Sequence, residues 1–177
     1  MPDATGLELL AAELGDAALE TVYFRNRATL VVEASRIRAV LATLRTKGYT
    51  FLASVHGVDH YPEEPRLSVI YELLDMSRVD RITVKLRVPV DEPTVPSVTA
   101  DAPDGSGWPT ADHQEREIYD MFGVVFEGHP DLRRILMPED YEGHPQRRDF
   151  PLGGEPVLFT RDEAKWLESR TQEGTGE

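Results

Sequence analysis

The sequence of 177 residues contains no cysteine. It therefore cannot form a disulfide, supply a thiolate nucleophile or ligate an iron–sulfur cluster through thiolates. Clusters bound by a partner protein are not excluded. With 40% hydrophobic and 29% charged residues, the composition is that of a globular protein, and the length is enough for one core domain with an appended arm.

Positive charge and long apolar runs are also scarce. Lys and Arg number 19 against 32 Asp and Glu, a formal net charge of -13. An acidic chain repels phosphate backbones, so we expect no nucleic-acid partner. No apolar run approaches the roughly 20 residues that span a bilayer, and residues 1–5 do not begin a secretion signal. We expect a cytoplasmic chain without direct membrane insertion, which reaches a membrane only through other proteins.

Glycine-rich phosphate-binding loops are absent as well. The sequence has neither the GxGxxG pattern of dinucleotide-binding folds nor a P-loop. No sequence motif therefore supports nicotinamide or flavin binding by this chain. No side chains stand at a recognisable catalytic spacing. We therefore assign no catalytic, cofactor-binding or metal-binding residue within this chain.

Hydrophobic periodicity predicts seven elements in the order α-β-β-α-β-β-β. The clearest strand covers 81–88, where four apolar residues alternate with Arg81, Thr83, Lys85 and Arg87. This alternation predicts one face on a core and a basic face outward. The other strands are expected at 20–24, 28–33, 49–55 and 67–74, with a helix capped by Ser35 and a loop over 56–66. The order predicts an α+β fold, a two-layer sandwich of helices on one face of a mixed sheet, followed by an extended C-terminal docking arm.

Five prolines between Pro89 and Pro109 exclude a central strand or an unbroken helix there. Asp112 is then expected to cap a short helix that ends at Gly123. We divide the chain into an α+β domain (1–108), a signature helix with an extended docking arm (109–168) and a disordered tail (169–177).

The short helix carries four charged residues, Glu115, Arg116, Glu117 and Asp120. Arg116 and Asp120 are spaced i, i+4, which predicts a weak ion pair on one helix face. Glu115 and Glu117 point about 200° apart, so they cannot act together as paired carboxylates. The pattern favours a charged helix with Ile118, Met121 and Phe122 packed inward.

The segment after the helix combines arginines with aromatic residues. The sequence Phe126-Glu-Gly-His129-Pro130 recurs fifteen residues later as Tyr141-Glu-Gly-His144-Pro145, and an Arg pair follows each copy. An extended segment with few internal ladders would leave its backbone groups unpaired unless it docked on another surface, and Arg is favoured at interface cores. The residues predicted to contact a partner are Arg133, Arg134, His144, Arg147, Arg148, Asp149 and Phe150.

Two other interpretations involve histidine. His56 and His60 would ligate zinc if they lay on one helix, as in a metal-dependent hydrolase. Gly57 and Pro62 argue against a helix there, so a polar loop is favoured. His129 and His144 are followed by Pro and lack a nucleophile neighbour, which favours turns over general-base chemistry.

The region from Glu115 to Leu152 resembles the C subunit of NADH-quinone oxidoreductase, the thirty-kilodalton subunit of respiratory complex I. That family's signature matches Glu115, Arg116, Glu117, Asp120, Met121, Phe122, His129, Arg133, Ile135 and Leu136, and its following motif matches residues 143–152. Residues 48–52 and 69–73 resemble the family more loosely. The sequence departs at His113, where family members usually have Trp.

The resemblance implies a peripheral-arm subunit of the proton-translocating enzyme, on the cytoplasmic side of the cell membrane. It implies contacts with the D and B subunits of complex I and with the I subunit nearby. It also implies that the iron–sulfur clusters, FMN and quinone are bound by those partner subunits and not by this chain. The alternative is an equivalent scaffold in a membrane-bound hydrogenase or another quinone-reducing complex.

Overall fold

The computed structural model describes residues 4–99 and 107–151 of the chain. The helices are α1 (Ala4–Leu14), α2 (Ile37–Thr46) and α3 (Asp112–Phe122). The strands are β1 (Ala18–Phe24), β2 (Arg27–Val32), β3 (Phe51–Asp59), β4 (Leu67–Asp75), β5 (Asp80–Val88), β6 (Thr94–Pro96) and β7 (Val125–Glu127). None of the helices within the described ranges has the length and apolarity needed to cross a bilayer.

Five of the strands form one mixed sheet in the order β1-β2-β5-β4-β3. β2 and β5 run parallel and the other neighbours are antiparallel. The β1–β2 hairpin turns at Arg25 and Asn26, which both have positive φ, as a tight two-residue turn requires. The mixed sheet predicted from the sequence is confirmed.

The core lies on one face of this sheet. Leu30, Val84, Tyr71 and Val55 form one row across four strands, and all four are buried. The apolar stripe of α2 is buried in the same core, and α3 reaches the sheet on that face at β3. Helices on one face of a mixed sheet confirm the predicted α+β class. The opposite sheet face carries the polar residues of β5.

The predictions for β3 and for the start of α2 were wrong. β3 continues to Asp59, so His56 and Gly57 lie in a strand and the loop begins only at His60. α2 begins at Ile37 after a 3-10 turn, and the Ser35 hydroxyl donates to Glu33 (2.7 Å) instead of capping the helix.

The proline-rich connector contributes a small second sheet. β6 pairs parallel with β7 in the register Val95↔Phe126, and both residues are buried. α3 ends at Gly123, whose φ of 75° suits glycine, as predicted. Asp112 is the first residue of α3 and not its cap. Beyond Glu127 the chain is irregular. Residues 152–168 of the predicted arm and the whole predicted tail lie outside the described residues.

Candidate docking site around the signature helix

α3 packs against β3 at a glycine. A Cβ added to Gly57 would lie 2.6 Å from Phe122 Cδ2, so the strand must lack a side chain for the helix to come this close. Ile118, Met121 and Phe122 are buried, as the helical spacing predicts. These contacts fix the position of the charged residues of α3.

Asp120 is fully buried and binds the segment that follows β7. Its Oδ1 accepts a hydrogen bond from Arg134 Nη1 (2.6 Å), and its Oδ2 accepts from the backbone N–H groups of Ile135 (3.1 Å), Leu136 (2.8 Å) and Met137 (2.8 Å). Burial acts to raise the pKa of Asp120, but these donors outweigh it, so the pKa is lowered and the carboxylate stays ionised. The burial of Asp120 was not predicted from the sequence.

Arg116 does not pair with Asp120, contrary to the i, i+4 prediction. Its guanidinium donates instead to the carbonyl oxygens of Arg133 (3.2 Å) and Arg134 (3.4 Å). The cation that binds Asp120 is Arg134, fourteen residues further along the chain. The i, i+4 spacing rule considers only residues within one helix turn, so it did not identify Arg134. Arg116 and Asp120 together hold both ends of one short loop.

Glu115 is also fully buried, which the charged pattern of the helix did not indicate. It accepts from the Ser97 hydroxyl (2.6 Å) and from the Val98 N–H (2.8 Å), and so attaches α3 to the connector after β6. Burial raises the pKa of Glu115 to about 7, although both hydrogen bonds oppose that shift. Glu117, two residues on, is exposed.

His129 closes the first turn of the irregular segment. Its Nδ1 accepts from the Asp131 N–H (3.0 Å), so the ring proton lies on Nε2, which donates to the carbonyl oxygen of Asp112 (3.3 Å). Nε2 is also 4.0 Å from Glu115 Oε2. The histidine side chain is fully buried.

A second carboxylate anchor joins the end of the described chain to the sheet. Buried Arg66, just before β4, binds Asp59 through Nε (2.8 Å) and Nη2 (2.6 Å), and binds Asp149 through Nη1 and Nη2 (both 2.6 Å). Two bidentate pairs on one guanidinium are strong and directional. The hydrogen bonds from Arg66 lower the pKa of both Asp59 and Asp149.

Sequence reasoning did not find Arg66. Its one local signal is a cation placed immediately before a long apolar strand, Leu67–Asp75. Asp149, its distant partner, is 83 residues away in sequence, so no helical or strand periodicity connects the two.

Other predicted partner-contact residues also bind within the chain. Arg147 donates to the carbonyl oxygen of Phe122 (2.7 Å), and His144 Nδ1 lies 2.9 Å from that of Asp120. Arg148 donates to the carbonyl oxygen of Tyr61 (2.9 Å). The arginines were expected to meet carboxylates of a partner, and these contacts instead satisfy backbone groups of the chain itself.

Arg133 and Phe150 complete the predicted set. Arg133 is exposed and binds Asp131 (2.9 Å), and Phe150 stacks on Tyr141 with ring centroids 6.2 Å apart. The expectation that residues beyond Gly123 lack internal partners for their backbone is therefore wrong for the described part of the arm. That the seven residues contact a partner stays a prediction.

The segment that begins with β7 presents apolar side chains outward while its backbone is held. Leu136 is 60% exposed although its N–H is bound to Asp120, and Val125 is also exposed. An exposed leucine on a fixed backbone is suited to binding another protein, because little conformational entropy remains to be lost. We call residues 125–137 the anchored loop.

The histidines considered for metal binding make other contacts. His56 is exposed on β3, and His60 Nε2 is 3.0 Å from the Ser68 hydroxyl. Over residues 4–99 and 107–151, no three His, Cys, Asp or Glu side chains are grouped so as to hold a metal ion. His113 is exposed, whereas Trp108 is buried under the Arg45 guanidinium at 3.9 Å.

Comparison with known proteins identifies the family of this chain. Residues 30–156 match the family model described as respiratory-chain NADH dehydrogenase, 30 Kd subunit. The chain belongs to this family. The resemblance found in the signature residues is thereby confirmed.

Individual relatives of the chain are also subunits of NADH-quinone oxidoreductase. The C subunit of NADH-quinone oxidoreductase from Roseiflexus sp. (strain RS-1) is 45% identical over 163 residues, which cover 90% of each chain. The corresponding C subunit of Saccharopolyspora erythraea is also 45% identical, but the match covers 88% of this chain and only 63% of that longer relative. Subunit 5 of the Thermus thermophilus enzyme is 42% identical over 139 residues, which cover 73% of this chain and 64% of that protein.

Two solved structures share the fold. A trypsin-resistant fragment (1-134) of Nqo5 superposes with a TM-score of 0.61 at 32% identity, and covers 75% of this chain and all of the fragment. A chain of the membrane-bound sulfane sulfur reductase, an archaeal respiratory membrane complex, superposes with a TM-score of 0.68 at 25% identity over 92% of each chain.

Proposed function

We propose that this 30 Kd family member is a cofactor-free subunit of the peripheral arm of a proton-translocating NADH:quinone oxidoreductase, on the cytoplasmic side of the cell membrane. Its role is architectural. It holds the D and B subunits, and the I subunit nearby, in fixed relative positions, while those partners and others bind quinone, the iron–sulfur clusters and FMN. The names of its relatives support the assembly, and the absence of cysteine from the sequence fits clusters bound elsewhere.

The observation that carries the proposal is the binding of the anchored loop by Asp120. Four donors converge on one buried carboxylate, and three of them are consecutive backbone N–H groups. Such a loop keeps its shape, so the exposed Leu136 has a fixed position relative to the sheet. Fixed placement is what a scaffold must supply, because electron transfer between clusters depends on their separation.

A second candidate is the equivalent scaffold in a related assembly, such as a membrane-bound hydrogenase or another quinone-reducing complex. The likeness to a chain of the sulfane sulfur reductase over 92% of both chains favours a fold that serves more than one respiratory complex. The electron donor that the intact complex accepts separates the two. NADH oxidation by the complex supports the first candidate, and activity only with another donor supports the second.

The test is gentle purification of the tagged chain from its native cells, with mass spectrometry of the retained proteins. We expect the D and B subunits to be recovered. Leu136→Asp should reduce their recovery by about tenfold or more, because a charge would be buried at the centre of a contact. Leu9→Asp is the matched control, because Leu9 is similarly exposed (68%, against 60% for Leu136) but lies on α1. Recovery of neither partner with the parent chain would contradict the proposal.

A further inference from the structure

The sheet face opposite the helices is open in the part of the chain that the structure describes. It forms a groove of about 480 Å³ across β1, β2, β4 and β5. Val22, Phe24, Val31 and Ile70 line it, and Val22 and Phe24 are 38% and 63% exposed. A solvated face of an antiparallel sheet is normally polar, so four apolar side chains in one groove indicate a surface that something covers.

Cations surround these apolar residues. Arg27, Lys85 and Arg87 line the groove, against one carboxylate, Glu20, among the described residues. The whole chain has a net charge of -13, so the sign of charge is locally reversed. Burial, and after it the neighbouring Arg87, lower the pKa of Lys85.

Arg87 is the least satisfied of these cations. Its Nε and Nη2 atoms are buried and make no hydrogen bond within the described structure, and Glu63 Oε2 is 3.9 Å from Nη2. Buried polar groups are normally bonded. Neither nitrogen has a hydrogen-bond acceptor within the described residues, so the Nε and Nη2 edge of this guanidinium is suited to a carboxylate supplied from outside the chain.

We propose that this surface, the basic sheet face formed by Arg27, Lys85, Arg87, Val22, Val31 and Ile70, binds an acidic polypeptide segment with apolar side chains. The segment belongs to another subunit of the assembly, and in this respect the inference rests on the proposed function. Its carboxylates bond to Arg87 and Lys85, and its apolar side chains cover Val31 and Ile70.

The side chains of the basic sheet face are aligned in rows across the strands, and this arrangement favours an extended segment as the occupant. Val31, Lys85 and Ile70 are aligned across three strands, and Thr29 and Thr83 form the next row, two residues along. Rows two residues apart are about 6.6 Å apart, which is also the spacing of side chains on one side of an extended chain. A second copy of this chain is disfavoured, because stacking two such faces would bring the same three cations together.

The absence of native cysteine permits a direct test by thiol labelling. Val22→Cys places a single thiol on the basic sheet face, and Ala39→Cys places one on the exposed side of α2 as a control. Maleimide labelling rates are compared between the free chain and the assembly isolated through a tag on the chain. We expect the assembly to slow labelling of Val22→Cys about tenfold or more. Adding Lys85→Glu and Arg87→Glu should restore its rate, Lys85→Arg should leave it slow, and Ala39→Cys should label with little change.

Labelling of Val22→Cys in the intact assembly at the rate of the free chain would overturn the inference and leave the proposed function standing. A chain recovered alone, with both thiols labelled, would overturn both. If labelling of Val22→Cys in the assembly stays slow after Lys85→Glu and Arg87→Glu are added, the cations do not bind the occupant. That result would also overturn the inference. Slow labelling of the free chain on vesicles containing phosphatidylglycerol would assign the face to a lipid surface instead.

Discussion

At the scale of single residues, two carboxylates on the same short helix have opposite protonation behaviour. Both Glu115 and Asp120 are fully buried. Asp120 meets a guanidinium and three backbone N–H groups, and its pKa falls. Glu115 meets one hydroxyl and one N–H group, and its pKa rises to about 7 because burial prevails. The number and charge of the donors therefore decide which group stays ionised.

Asp120→Ala should be strongly destabilising. The substitution leaves Arg134 without its carboxylate and three N–H groups without an acceptor, and removing one partner of a buried pair costs about 3–5 kcal/mol. Urea unfolding of the purified chain measures this loss. Asp131→Ala is the control, since Asp131 pairs with Arg133 on the surface, where ion pairs contribute little. Equal losses for the two variants would contradict the role given to Asp120.

Glu115→Gln should change how stability depends on pH. The folded-state pKa of Glu115 is raised from 4.5 to about 7, so the folded chain holds this proton more tightly than the unfolded chain between those values. The resulting stabilisation is complete below about pH 4.5 and is lost as pH rises through 7, by about 3 kcal/mol in total, of which about 2.5 kcal/mol is lost between pH 5 and pH 8. The measurement is the unfolding free energy of parent and variant at pH 5 and pH 8. The parent should lose that much more than the variant, and parallel profiles would exclude a raised pKa.

At the scale of elements, the contact between α3 and β3 depends on Gly57. Gly57→Ala would place a methyl group 2.6 Å from the Phe122 ring, and such overpacking costs about 1–3 kcal/mol. Phe122→Leu provides space at the same contact. A double-mutant cycle on unfolding free energies should show that the two substitutions together cost less than the sum of their separate effects. Strict additivity would mean that the helix does not approach the strand at this point.

The sheet could be predicted from sequence where side chains alternate over a long run. Residues 81–88 alternate strictly, and β5 spans Asp80–Val88. β3 was predicted to end early because Gly57 and Pro62 are turn-forming residues in isolation. In the fold Gly57 is a strand residue that makes room for Phe122, a ring far along the sequence on α3. Local rules cannot detect a requirement that comes from so distant a contact.

The site was harder to predict for the same reason. Glu115 and Asp120 were predicted only as charged residues of a helix whose apolar side packs inward, and their burial was not predicted. Their burial follows from Val98, seventeen residues before Glu115, and from Arg134, fourteen residues after Asp120. Arg66, which holds Asp59 and Asp149, belongs to no motif and was missed.

At the scale of the whole molecule, two carboxylate anchors attach the arm to the α+β body. Asp120 holds residues 134–137, and Arg66 holds Asp149. Five polar signature residues bind within the chain, namely Glu115, Arg116, Asp120, His129 and Arg133. Among the described residues, the surfaces that we propose for other proteins are the anchored loop with its exposed Leu136 and the basic sheet face on the other side of the sheet.

The account depends on the anchored loop being formed before any partner binds. Hydrogen exchange of the isolated chain, followed at the N–H groups of Ile135, Leu136 and Met137, tests this most directly. We expect exchange roughly 100-fold or more slower than in an unstructured peptide, because all three groups donate to buried Asp120. Exchange at the unstructured rate in the free chain, with protection only in the assembly, would contradict the account.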